Sequence, residues 1–224
     1  MLSLELPSTD EFSKFKYTEP MVVYDAKGNI IAELGAERRY PISIDQMPPY
    51  VYQAVVAVED ARFYEHSGID PWGIARAMVS NIKAGRMVEG GSTLTQQLVK
   101  VIYLSPERKL KRKIKEVIIA YRLDKELSKE KILELYLNQV NFGRGAYGIQ
   151  AAAINYFGKK DVKDLTIAEA AMIAGIPKGP SIYAPHLNMK RAVARRNHVL
   201  KRMLEVEYIT QEEYEKAIAD NVYD

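Results

Sequence analysis

The sequence predicts a mainly α-helical protein with a small β-hairpin at its N-terminal edge. Three observations carry that prediction: apolar residues recur at helical spacing through most of the chain after Pro49, capping signals punctuate that stretch, and a single pair of short apolar runs brackets a turn. The runs are Met21–Asp25 and Ile30–Leu34, with the turn formers Gly28 and Asn29 between them. Residues 1–20, with Pro7, Pro20 and scattered hydroxyl residues, read as a loosely held leading segment, and 21–224 as one domain.

Val51, Ala54, Val55 and Val58 share a helix face that ends at Glu59–Asp60. Asp70 before Pro71 reads as a cap followed by proline in the first turn, for a helix that stops near Gly85. A glycine-rich loop to Gly91 leads to Ser92 and a helix over Thr93–Leu104. Ser105–Pro106 starts a longer helix to Glu126, and Ser128 opens another. Thr166 with Glu169 and Thr210 with Glu213 read as capping boxes, in which a hydroxyl and a carboxylate three residues apart satisfy each other's backbone N–H groups.

Composition narrows the chemistry. Charged residues make up 27% and hydrophobic ones 47%, an ordinary globular balance. The net charge of +3 is too small to imply nucleic acid but leaves room for a local basic patch facing an anion. With no cysteine, there is no disulfide, thiol nucleophile or cysteine–zinc site, and 3 dispersed histidines make no metal cluster. Met1–Asp10 lacks the order of a signal peptide and no run of about 18 apolar residues occurs, so an exported form needs an anchor outside this sequence.

Two acids sit in contrasting surroundings. On the Pro106–Glu126 helix, Leu110, Ile114, Val117, Ile118 and Tyr121 form a stripe expected to pack inward. Arg108, Arg112, Lys113 and Glu116 sweep the other side, where Glu116 is a lone acid among cations that favour its ionised form. That face is either a solvated surface with an Arg112–Glu116 pair or a cradle for a pyrophosphate, with Glu116 orienting the cations or binding a metal ion. Glu59 instead follows the run Ala54–Val58 and precedes Asp60, with Phe63 and His66 nearby. Apolar and acidic surroundings favour proton uptake by a carboxylate, as a general base requires, although a carboxylate at a helix end is commonly plain surface.

The segments Glu59–Gly68 and Gly91–Gln97, then Arg112–Glu116, Lys131–Asn138 and Arg196–Leu200, together resemble the five motifs of the peptidoglycan glycosyltransferase family, in order. The resemblance runs from about Val23 to the C-terminus and implies a lysozyme-like helical fold with two lobes around a cleft. It implies that Glu59 deprotonates the 4-hydroxyl of the acceptor sugar, that Glu116 is the second essential acid, and that Lys113 and Arg108 hold the donor's pyrophosphate. The reaction implied is an inverting displacement of polyprenyl pyrophosphate that polymerises lipid II through β-1,4 links.

Substrate-contacting positions implied are Asp60, Phe63, His66, Ser92, Thr93, Gln96, Gln97, Lys100, Arg108, Arg112, Lys113, Tyr136, Asn138 and Arg196. The partners implied are lipid II, the growing lipid-linked glycan and the extracytoplasmic face of a bacterial membrane. Met87–Val88 and Val101–Leu104 are candidates for the membrane-facing surface. No organic cofactor is implied, and a divalent ion such as Mg is a candidate at Glu116.

Two further patterns are read as decoys. Gly143–Gly148 fits G-x-G-x-x-G but follows a predicted helix rather than a strand, so it reads as a tight turn. Ser128–Lys131 fits S-x-x-K without any downstream K-T-G, so it reads as a helix start, and a transpeptidase is expected only in a longer parent protein. Rival readings are a glycoside hydrolase of lysozyme-like fold, which has little use for a cationic cradle, and a binding module, which leaves Glu59, Gln96 and Gln97 unexplained.

Overall fold

The computed structural model describes residues 21–24, 27, 30–34, 38–86, 90–103 and 109–222. The 1–20 segment, the hairpin tip residues Gly28 and Asn29, and Met87, Val88, Leu104 and Arg108 lie outside the described residues. Strands β1 (Met21–Tyr24) and β2 (Ile30–Leu34) pair antiparallel, Met21 opposite Leu34, as the turn signal predicts. A second, two-residue pair joins β3 (Arg38–Arg39) to β4 (Ala146–Tyr147) in parallel. The remaining regular structure described is helical: α1 (Pro49–Glu59), α2 (Pro71–Ala84), α3 (Leu94–Tyr103), α4 (Lys109–Glu126), α5 (Lys129–Gln139), α6 (Ile149–Phe157), α7 (Ile167–Gly175), α8 (Pro180–Tyr183), α9 (Met189–Glu205) and α10 (Gln211–Ala219), with short 3-10 turns between some of them.

Two compact units share the described chain, one built from 59–136 and the other from 38–58 and 137–222 together with the hairpin. In the second, α9 packs on α7, whose residues Ala168–Gly175 are all buried because alanine and glycine allow close approach. Thr166 and Thr210 form the capping boxes expected of them. The Gly143–Gly148 loop is a tight turn that follows α5: Gly143, Arg144 and Gly145 all have positive φ.

The first unit contains the motif-bearing helices, and here two expectations are corrected. Asp70 precedes α2 but makes no side-chain cap; its buried carboxylate accepts from Arg62 Nη1 at 3.2 Å. The buried ridge of α4 is Glu116, Ile119, Ala120 and Leu123, not the expected stripe, from which Ile114 and Tyr121 remain more than 40% exposed. Both ridges recur at helical spacing, so periodicity alone chose the more apolar one. The choice inside the protein falls to packing against α3 and to Gly68, whose missing side chain lets the loop sit on the Ala120 carbonyl.

At Gly68 φ is +79°, and an added Cβ would stand 2.4 Å from Ala120 O and 3.1 Å from Asp124 Cβ. The loop from Glu59 to Gly68 thus depends on the absence of a side chain there. Gly68→Ala is expected to destabilise the domain by at least about 1–3 kcal/mol, the cost of a left-handed non-glycine residue before the clash is added. Urea unfolding checks this; an unchanged midpoint contradicts it.

Candidate active site

The site is assembled on the first turn of α3. Thr93 Oγ1 accepts from Gln96 N at 3.1 Å while Gln96 Oε1 accepts from Thr93 N at 3.0 Å, a reciprocal cap that ties down the start of the helix. The cap is therefore Thr93, one residue after the expected Ser92, and the signal was present as threonine followed three residues later by glutamine. Asp60 Oδ2 accepts the next orphan donor, Leu94 N, at 3.0 Å, and Thr93 Oγ1 donates to Gly68 O at 2.7 Å. The acid-bearing loop and the helix start are thereby bound to each other at two points.

From that turn the consecutive residues Gln96 and Gln97 each reach one of the two acids. Gln97 Nε2 donates to Glu59 Oε2 at 3.1 Å, and Gln96 Nε2 donates to Glu116 Oε1 at 3.3 Å. Neighbouring helix positions point about 100° apart, so one turn of α3 holds two carboxylates on separate sides of its axis. Lys113 Nζ donates to the same Glu116 oxygen at 2.5 Å and to Ser92 Oγ at 3.0 Å. The ion partner of Glu116 is thus Lys113 rather than Arg112, and Glu116 is buried at 5% exposure rather than solvated.

Sequence reasoning placed Glu116 on a surface because its helix neighbours are cations. Burial becomes tolerable because an ammonium and an amide both donate to it. Those donors also bear on the metal expectation: Glu116 Oε1 is occupied by hydrogen donors, and among the described residues no group of three or more His, Cys, Asp or Glu gathers to hold an ion.

Several expected substrate contacts are buried and bonded within the fold. Phe63 is fully buried, with Lys129 Nζ 4.7 Å from its ring centre. The same ammonium donates to Asp124 Oδ2 at 2.8 Å and to His66 O at 2.6 Å, locking the Glu59–Gly68 loop to the start of α5. Buried Asp60 and His66 pair with each other, Nε2 to the carboxylate at 2.9 Å. Tyr136, 1% exposed, donates to Gln97 Oε1 at 3.1 Å.

Asn138 and Arg196 belong to the other unit, where they serve the backbone. Asn138 accepts from Ile42 N at 3.0 Å and donates to Ile42 O at 2.8 Å. Arg196 donates to Asp220 O at 2.7 Å and Ile218 O at 3.2 Å; burial lowers its pKa and the Asp220 charge opposes that shift. Burial and these contacts hold Phe63, Asp60, His66, Asn138 and Arg196 within the protein's own framework. Of the expected contacts, Ser92, Gln97, Lys100, Arg112 and Lys113 are at least partly exposed.

A carboxylate and an ammonium–carboxylate pair are thus anchored through adjacent glutamines on one helix turn. The chain belongs to the transglycosylase family, whose model matches residues 27–204, the peptidoglycan glycosyltransferase domain of class A penicillin-binding proteins. Among its relatives is penicillin-binding protein 1A of Aquifex aeolicus, 52% identical over 196 residues that make up 88% of this chain and 27% of that protein. Penicillin-binding protein 1A of Escherichia coli is 50% identical over 212 residues, 95% of this chain and 25% of the relative. A crystal structure of penicillin-binding protein 1A from Haemophilus influenzae superposes with a TM-score of 0.52 at 30% identity, covering 92% of this chain and 21% of the other. The chain therefore spans about a quarter of the length of these relatives.

Proposed function

We propose that this domain polymerises a polyprenyl-pyrophosphate-linked disaccharide, lipid II, into β-1,4-linked glycan. Glu59 takes the proton from the acceptor's 4-hydroxyl as that oxygen attacks the donor's anomeric carbon, and the bond to the pyrophosphate oxygen breaks. Lys113, held by Glu116 and Ser92, stabilises the charge that collects on the departing diphosphate, with Arg112, Lys100 and the family-matched Arg108 supplying further positive charge. The observation that carries this reading is the attachment of both acids to Gln96 and Gln97: one helix turn fixes the base and the charge-stabilising pair together, as a single displacement requires.

Incubation with purified lipid II, then product sizing and muramidase digestion, tests it. Polymer with stoichiometric polyprenyl pyrophosphate is the expected result. Shortening of pre-formed glycan without consumption of lipid II supports a hydrolase instead and overturns the reading.

A membrane supply of the substrate fits the surface of α2. Trp72 and Ile82 are each more than 70% exposed, and Met78, Val79 and Ile74 also face outward, leaving only Gly73 and Ala77 of that helix buried. No described helix is long and apolar enough to cross a membrane. An apolar helix surface of this kind enters the headgroup region without spanning it, and a parent of the length of the penicillin-binding relatives would carry the anchor and a transpeptidase. Trp72→Ser with Ile82→Ser is expected to reduce sedimentation with phospholipid vesicles at least about tenfold, since two large side chains contribute several kcal/mol of burial. Equal vesicle binding by the double variant contradicts the assignment.

A further inference from the structure

Among the expected substrate contacts, Tyr136 is buried with its hydroxyl on the amide that holds the base. Its hydroxyl meets Gln97 Oε1 at 3.1 Å, and the other end of the same amide meets Glu59 Oε2 at 3.1 Å. An amide carries a donor end and an acceptor end, and only one orientation suits an ionised carboxylate, which accepts and never donates. With the NH2 end committed to Glu59, the carbonyl end needs a proton donor, and the Tyr136 hydroxyl supplies it. The opposite orientation would set the amide oxygen against the carboxylate.

We infer that Tyr136 is a positioning residue of the transfer reaction, acting through Gln97: its buried hydroxyl fixes which end of the Gln97 amide faces Glu59, and so the orientation of that carboxylate. The inference rests on the proposed role of Glu59. Burial, and then the charge of Glu59, hold the Tyr136 hydroxyl well above the usual pKa of a phenol, so it stays protonated and able to donate at every pH at which the enzyme works. Tyr136 also sits one helix turn along α5 from Ile132 and Leu133, both fully buried, so the ring is clamped and the hydroxyl has little freedom to leave the amide.

Gln96 makes the contrast that isolates this device. Its own carbonyl end is held by the Thr93 backbone N–H, a group that no side-chain substitution removes. Gln97 depends on a side chain instead, which makes the orientation of the Glu59 contact open to a single-atom change.

The test is a double-mutant cycle on the whole domain with lipid II as substrate. Tyr136→Phe, which keeps the buried ring, is expected to lower kcat about tenfold, the size of one neutral hydrogen bond expressed as a rate, with KM for lipid II within about twofold of wild type. Gln97→Ala should lower kcat at least as much. In the Gln97→Ala background Tyr136→Phe should cost less than about twofold, because the residue it acts through is gone. Gln97→Met, which keeps the length of the side chain but carries neither amide donor nor amide acceptor, should be equally insensitive to Tyr136→Phe and guards against loss of packing in the alanine variant.

Tenfold losses that multiply in either background, or a Tyr136→Phe effect confined to KM or to thermal stability, overturn the inference. Wild-type protein that makes no polymer would instead refute the proposed function. In that case the side-chain amide NMR signals of Gln97 decide the matter: displacement in Tyr136→Phe supports the contact, and unchanged signals overturn it.

Discussion

Glu59→Gln is expected to lower kcat/KM for glycan formation by about 10²–10⁴-fold, the range contributed by a positioned general base. The substitution keeps the size and planarity of the side chain, and its amide oxygen can still accept from Gln97, so the unfolding midpoint should hold. What is lost is the capacity to take a proton as the acceptor oxygen forms its new bond. The neighbouring Asp60 cannot take over, because its oxygens are committed to His66 and to Leu94 N, which anchors α3. Near-normal polymerisation by Glu59→Gln, measured as lipid II consumption at substrate concentrations well below KM, removes the base assignment.

Lys113→Ala is the second large effect expected, a loss of about 10²–10³-fold in kcat/KM, as for removal of one preorganised charge stabiliser. The ammonium is half exposed, so it can approach a ligand while its inner bonds to Glu116 and Ser92 fix its position. Its removal leaves the Glu116 carboxylate buried with the Gln96 amide, and some loss of stability accompanies the change. Assays well below the unfolding midpoint separate the two consequences. A variant that is less stable yet turns over at the wild-type rate would give Lys113 a structural role only.

The helices and their capping were legible because they are local. Thr166, Thr210 and Ser128 announce helix starts by hydrogen bonds that span three residues, and the structure forms all three. The five ordered motifs likewise brought Glu59, Gln97, Lys113 and Glu116 to attention before any coordinates did. Which face of α4 turns inward was not legible, because the answer lies in a glycine about 50 residues upstream and in a buried carboxylate that periodicity counts as polar. The same limit applies to the burial of Phe63, His66 and Asn138. A motif records that a residue type matters, whereas only packing tells whether it touches a sugar or supports the loop that does. Tyr136 is the sharpest case, for its chemistry is expressed through Gln97, 39 positions earlier in the chain.

The two acids divide the labour, and equilibrium binding of a lipid-linked donor tests that division most directly. Glu59→Gln should bind a non-reacting polyprenyl pyrophosphate as tightly as wild type, while Lys113→Ala should bind it at least about tenfold more weakly, having lost a charge-assisted hydrogen-bond donor. Weakened binding in Glu59→Gln together with wild-type binding in Lys113→Ala would place the diphosphate at the wrong acid and contradict the mechanism.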